Sequence, residues 1–530
     1  MVRLSTLAST LLAPAALVGF ALAKPCNSTF TNPIIYEDFP DNDVSVGPDG
    51  AYYFSASNFH YSPGAPLLRS EDLVNWEVIG HSIPRLAFGD GYDLKNGERQ
   101  YRGGTWASTM RYRESNGVWY WIGCTNFWIT HIFTASAPEG PWEKMTDFPG
   151  TCWYDMGMLV DDDDTMYTVS GNPNVTISEL SDDGKEIVRA EVVLRASDLG
   201  IDAIEGNRLY KINGLYYILN DHPGDAATYI WKSESPWGPW EHKILVEGVT
   251  PPLEGGSSPH QGSLIETPNG DWYFMSFTWA YPAGRMPVLA PLVWGEDGFP
   301  ELVKGENGGW GSSYPSPLPK VPTPSWTGTY TFEGPTLPVK FEWNHNPDNE
   351  KIVIDNGLTL STSSLTEDIF QARNTLTHRV HGEFPSATVE IDFSNAADGD
   401  RFGFAAFKDQ TAYIGIHRVG DEYTITALHG ATIDEVSGVP VSPGEVVATE
   451  SFPANAEKKI WFRMELDVRP TGTRDANFFY SLDGEEFTQL GETYTLSSGW
   501  LWFMAYRYGI FNFATTALGG SITVNSMTVE

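Results

Sequence analysis

Cysteine is scarce. Only Cys26, Cys124 and Cys152 occur in 530 residues. The odd count leaves at least one thiol outside any intrachain bridge, and it excludes a disulfide-built scaffold or a cysteine metal cluster. Cys124 and Cys152 either pair in an oxidising compartment or stay as two buried thiols. Positive charge is short as well: 33 Lys and Arg face 68 Asp and Glu, a net charge of −35. Such a chain repels nucleic acid and anionic membranes, so partners of both kinds are excluded. Neutral or cationic partners remain, and an uncharged polymer such as a glycan fits. Long apolar runs are missing after the first residues. Within residues 1–23, Arg3 supplies a positive start, Leu7 to Leu22 an apolar run broken by Pro14, and Ala21-Leu22-Ala23 a small-residue cleavage site. This reads as a secretory signal peptide rather than an anchor, so the mature protein is expected outside the cell. Asn27-Ser28-Thr29 and Asn174-Val175-Thr176 are glycosylation sequons suited to that setting. The acidic run Asp161 to Asp164 lacks the spacing of an EF-hand loop and reads as a solvated turn.

What is abundant is aromatic. Phe, Trp and Tyr make up 13% of the chain, with 19 Trp, inside a globular 41% hydrophobic content. The length calls for at least two domains. An aromatic strand following a Gly or Asp turn recurs five times: GAYYFSAS from Gly50, GVWYWIGC from Gly117, DTMYTVSG from Asp164, GLYYILND from Gly214 and GDWYFMSF from Gly270. Spacings of 67, 47, 50 and 56 residues match one four-stranded propeller blade per copy. A second signature ends on Trp76, Trp142 and Trp240, where an outer strand is expected to close on a buried indole. The expected architecture is all-β, with a five-bladed β-propeller over residues 24–318. From Leu302 to Thr327 the composition turns to Gly, Ser and Pro, read as a linker laid on the surface. Residues 319–530 alternate apolar and polar positions with no helical period, which predicts a β-sandwich of jelly-roll type.

Just ahead of each aromatic strand, where the innermost strand of a blade begins, stand Asp43, Trp106, Asp155, Glu205 and His260. Their offsets to the following turn residue are 7, 11, 9, 9 and 10. Innermost strands line the central channel, so these positions are expected around one pocket. Asp38 and Asp41 read as turn residues. Two carboxylates across a scissile bond are what glycoside hydrolysis needs: one protonated for the leaving oxygen, one ionised to activate water. A third raises the pKa of the acid.

At these motifs residues 32–320 resemble glycoside hydrolase family 43. The resemblance implies a five-bladed propeller and inverting hydrolysis. It points to Asp43, in Asp43-Val44-Ser45 after Asn32-Pro33, as general base, and to Glu205, in Glu205-Gly206-Asn207, as general acid. Asp155, in Asp155-Met156-Gly157-Met158-Leu159, then modulates the pKa of the acid. Arg285, in the GRMPVLAPLVW segment, holds substrate, and Phe59 and Trp106 form a sugar-facing platform. His260 matches the channel histidine, which in some members holds a hydrated calcium ion. No cofactor is required, and a structural calcium in the channel would reach His260 through water. Phe341–Pro347 (FEWNHNP) and Leu376–Val380 (LTHRV) extend the resemblance to the sandwich of the β-xylosidase and arabinofuranosidase branch. The aromatic segment Trp500 to Phe513 is the candidate for a sandwich loop that shapes the pocket. The expected protein is a monomeric, secreted exo-glycosidase removing α-L-arabinofuranosyl side chains from arabinoxylan or a related hemicellulose. A β-xylosidase uses the same carboxylates, and a non-catalytic glycan-binding propeller would need none of them ionisable.

Overall fold

The computed structural model describes residues 28–530. The signal segment, Cys26 and the Asn27 sequon lie outside the described residues. Secondary structure is almost entirely β, with one four-residue α-helix, Ala196–Leu199, among the described residues.

Five four-stranded antiparallel sheets follow one another in chain order. Blade 1 runs from Asp43–Val46 to Trp76–Ile83, blade 2 from Ser108–Arg113 to Glu143–Pro149, and blade 3 from Gly157–Val160 to Ile187–Arg195. Blade 4 runs from Glu205–Ile212 to Glu241–Glu247, and blade 5 from His260–Glu266 to Pro300–Leu302. Each repeated aromatic segment is the second strand of its blade: Tyr52–Ser55, Val118–Thr125, Met166–Ser170, Leu215–His222 and Trp272–Trp279. These strands are buried on both faces, between blades, so their aromatics form continuous runs rather than an alternation. First strands of neighbouring blades touch around the ring, blade 5 reaching back to blade 1. Trp76 and Trp142 are buried as the repeat predicts, and Trp240 is half-buried.

The stretch between the domains lies mostly on the surface, as expected of a linker, but it is pinned there at a few buried points. Ser313–Pro315 pairs with Thr29–Thr31, Trp310 is fully buried against Phe274, and Asn32 bonds the carbonyls of Leu289 and Gly311 at 2.9 Å. The indole replaces water over the outer core of blade 5, which accounts for its burial in a Gly-rich segment.

The C-terminal sandwich packs an eight-stranded sheet on a nine-stranded one. Strands such as Ser386–Asp392 and Lys459–Leu466 alternate inward and outward side chains, as a sheet with one buried face requires. Its eight-stranded sheet ends on Tyr61–Ser62 of the propeller, paired with Phe341–Asn344. Glu342, fully buried in that strand, meets Arg379 at 2.9 Å, Arg507 at 2.5 Å and His81 of blade 1 at 2.8 Å. The two guanidinium groups overcome burial and hold its carboxyl well below the usual range. The sandwich is thereby fixed against the channel mouth.

Candidate active site

A cavity of about 610 Å3 opens where the first strands of the blades begin. The structure brings Asp155, Glu205, Trp106, Phe59, His260 and Arg285 to it, as the sequence pattern predicts. It also brings Asp41, Asp221 and Tyr154, which the sequence reading did not place there. Asp43 is not among its lining residues. Its side chain is wholly buried in the channel wall, with Arg111 at 2.6 and 3.1 Å and Arg208 at 3.2 Å. Two guanidinium groups claim both oxygens, so Asp43 is a structural counter-ion. Two residues upstream, Asp41 adopts φ 60 and faces the cavity. The repeat carried a signal for this exchange: Asp43 stood only 7 residues before its turn glycine, while Asp41 stands 9 before it, like Asp155 and Glu205 before theirs.

Arg285 and Arg208 build the Asp41 corner. Arg285 Nη1 donates to Asp41 Oδ1 at 2.5 Å, and its guanidinium lies 5.6 Å from the Phe59 ring and 5.3 Å from that of Trp279. Arg208, fully buried, donates to the carbonyls of Asp41 and Asn42 at 3.1 and 3.0 Å. These bonds hold the left-handed turn that aims Asp41 inwards. Phe59, Asp155 and Gln261 share the positive φ, at 55, 45 and 55°. Such strained backbone is retained where surrounding contacts over-determine it, and it clusters at functional sites.

Glu205 is half-buried, with Oε2 accepting from Tyr154 Oη at 3.3 Å and Asn172 Nδ2 at 3.1 Å. Burial and the charge of Asp41 raise its pKa against these bonds and Arg285. Asp155 accepts from the Gly206 amide at 3.3 Å, beside Glu205. Burial, then the charges of Glu205 and Asp41, lift its carboxyl well above the usual range. Carboxylates crowded into one largely buried cluster cannot all ionise easily, so the cluster keeps a proton at pH values where free carboxyls have lost theirs.

The walls are aromatic. Phe59 stacks on Phe503 of the sandwich at 5.8 Å, and Trp106 sits 6.0 Å from Phe59 and 6.2 Å from Tyr154. Trp500 and Phe503 line the cavity, so the sandwich loop does shape it. A second lobe of about 310 Å3 continues past Trp106 and Tyr154 and is floored in part by Cys124. Cys124 is bonded to Cys152, two residues before Tyr154.

A channel calcium would fall on His260. Its Nδ1 lies 3.0 Å from the carbonyl of Ser258, Nε2 lies 3.9 Å from Asp221, and burial lowers its pKa. Among the described residues no three His, Cys, Asp or Glu side chains converge on a metal position, so the residues present do not fit a protein-coordinated ion.

Residues 30–300 match the model of glycosyl hydrolases family 43. Residues 329–530 match the β-xylosidase C-terminal concanavalin A-like domain. The chain belongs to glycoside hydrolase family 43. It is 27% identical to a β-xylosidase of Formosa agariphila across 95% of this chain and 90% of that one. It is 30% identical to a non-reducing end α-L-arabinofuranosidase of Bacteroides ovatus, covering 62% of this chain and 64% of the relative. Among solved structures, a family 43 enzyme engineered to display both endo-xylanase and exo-arabinofuranosidase activity superposes with a TM-score of 0.90. That structure is 40% identical and covers 95% of this chain and 100% of its own. A family 43 glycoside hydrolase with a five-bladed propeller and a concanavalin-like sandwich is therefore the frame for the chemistry of this cavity.

Proposed function

We propose that this family 43 enzyme is a secreted, inverting, exo-acting α-L-arabinofuranosidase that removes arabinose side chains from arabinoxylan. The observation that carries the chemistry is the convergence of Asp41, Asp155 and Glu205 on one aromatic-walled cavity. In this reading Glu205, protonated through burial and its acidic neighbours, donates its proton to the glycosidic oxygen. Asp41 deprotonates the water that attacks the anomeric carbon from the opposite face, with Arg285 orienting its carboxylate. Asp155 touches the Gly206 amide and keeps the proton on its neighbour Glu205. Phe59, Trp106, His260 and Arg285 hold the sugar ring.

The choice of arabinose is supported by the likeness to the 40% identical structure, whose engineered enzyme has exo-arabinofuranosidase activity. A β-xylosidase is the second reading, favoured by the name of the Formosa relative that spans nearly the whole chain. Incubation with wheat arabinoxylan and with linear xylooligosaccharides, followed by chromatography of the free sugar, separates the two. Arabinose released from an intact backbone is expected. Xylose from the oligosaccharides without arabinose from the polymer would replace this reading by the second.

A further inference from the structure

The reaction above uses the catalytic cavity and leaves the hairpin beside it without a task. That hairpin joins Val118–Thr125 to Ile129–Ala135 in blade 2. At its tip the Trp128 amide donates to the Thr125 carbonyl at 3.3 Å, closing a turn over Asn126 and Phe127. Both of these residues take positive φ, 54 and 59°. Turns of this hand favour glycine, and a phenylalanine in one is strained. The turn holds aromatic surface in water: Phe127 is 54% and Trp128 70% exposed.

The tip is nevertheless anchored. Tyr92 Oη donates to Asn126 Oδ1 at 2.6 Å, Thr125 Oγ1 lies 2.8 Å from His131 Nε2, and Cys124 is bonded to Cys152. Thr130 Oγ1 donates to the Thr151 carbonyl at 3.0 Å and accepts from the Trp153 amide at 2.9 Å. The hairpin is thus fastened to the segment that leads into Tyr154. Phe127 lies nearly parallel to Tyr154 with ring centroids 5.9 Å apart, and edge-on to Trp106 at 4.7 Å. Two exposed rings on a strained but firmly held turn make a preorganised platform rather than a loose loop.

The platform continues the sugar cavity. Phe127 lines the lobe of about 310 Å3, and Trp106, Ala107, Tyr154 and Asp155 line that lobe and the catalytic cavity alike. Arg102 gives the lobe a polar handle. Its guanidinium lies 4.5 Å from the Phe503 ring, and its Nε has no hydrogen-bond partner. The charges of Glu435 and Asp434 act on it from the sandwich. Within a chain of net charge −35 that field disfavours an anionic occupant. Hydroxyl groups accept from a guanidinium without bringing charge, and the C–H faces of sugar rings suit exposed aromatic rings.

We propose that Trp128 and Phe127 form a docking platform for the neutral glycan chain that carries the scissile sugar, and that they set the preference of the enzyme for polymer over short substrates. This rests on the glycosidase reading of the cavity. The chain lies on the hairpin tip while its side-chain sugar occupies the catalytic cavity.

The test compares kcat/KM on wheat arabinoxylan with kcat/KM on a nitrophenyl α-L-arabinofuranoside, which has no chain to dock, for the wild type, Trp128→Ala and Trp128→Tyr. The polymer-to-small-substrate ratio is expected to fall about fivefold in Trp128→Ala and to recover most of the way in Trp128→Tyr. A ratio that stays in place in Trp128→Ala overturns the proposal, whether both values drop together or neither moves. So does a wild-type dimer in light scattering that Trp128→Ala dissolves with the ratio unmoved, since a second copy of the chain would then cover the platform. Electrophoresis in native gels cast with arabinoxylan separates the platform from the functional reading. The wild type is expected to be retarded relative to an empty gel, and Trp128→Ala less so. A wild type that is retarded in this way but releases no arabinose defeats the functional reading and leaves the platform standing. An active wild type whose mobility Trp128→Ala matches in the arabinoxylan gel defeats the platform alone, and a wild type that neither cleaves nor is retarded contradicts both.

Discussion

Asp41 and Asp43 lie two residues apart and do opposite work, which makes them the sharpest comparison at the residue scale. Asp41→Asn and Glu205→Gln are each expected to lower kcat by about 10²–10⁴-fold, measured on arabinoxylan. Asp43→Ala strands Arg111 and Arg208 as unpaired buried cations. It is expected to destabilise the fold by roughly 3–5 kcal/mol in denaturant melts. The sign of the pH dependence follows from the shifts. Asp155, Asp221 and Glu205 bind protons more tightly when folded, so above the unfolded carboxyl range of about 4 they weaken the fold as pH rises through their raised values. Glu342 does the reverse: its contribution is present above that range and is lost as pH falls through its depressed value. The melting temperature is therefore expected to peak in weak acid and fall on both sides. Glu205 was legible in the sequence because it opens an apolar strand, where an unpaired carboxylate is costly, and Asp155 because it stands at the same offset of 9 residues before its turn residue. Asp41 was not, because a left-handed turn held by Arg208 from blade 4 has no local signature beyond the offset to Gly50.

At the scale of elements the blades were the most readable feature. A strand buried on both faces must be apolar throughout, and five such strands recurred at blade spacing. Pairings across long separations were not readable. Tyr61–Ser62 is too short to declare itself a strand, and Trp310 sits in a segment whose glycines and prolines suggest only a linker. The Cys124–Cys152 bridge was one of two open alternatives, since spacing alone does not bring two cysteines together. It closes a loop of 28 residues that carries Phe127 at one end and leads into Tyr154 and Asp155 at the other. Cys124→Ser is expected to remove about 3 kcal/mol of stability. Melting with and without reductant checks this: reductant should lower the wild type to the level of the variant and leave the variant unmoved.

On the scale of the whole molecule, the two domains make one site. The propeller supplies the carboxylates, and the sandwich supplies Trp500 and Phe503, while Glu342 ties the two together through Arg379, Arg507 and His81. Phe503→Ala removes the ring that Phe59 stacks on and the rim it provides. It is expected to raise KM by roughly five- to tenfold with kcat little changed, read from steady-state kinetics. The two-domain order was visible from composition, because the repeat stops where the alternating strands begin. Their mutual docking was not, because it rests on a strand exchanged between domains and on one buried ion cluster. The central claim is that Asp41 and Glu205 act from opposite faces of one sugar ring. Time-resolved NMR of the first sugar released from arabinoxylan tests it most directly. The account predicts arabinose appearing first as the anomer inverted relative to the bond cleaved. First appearance with the anomeric configuration retained would contradict it.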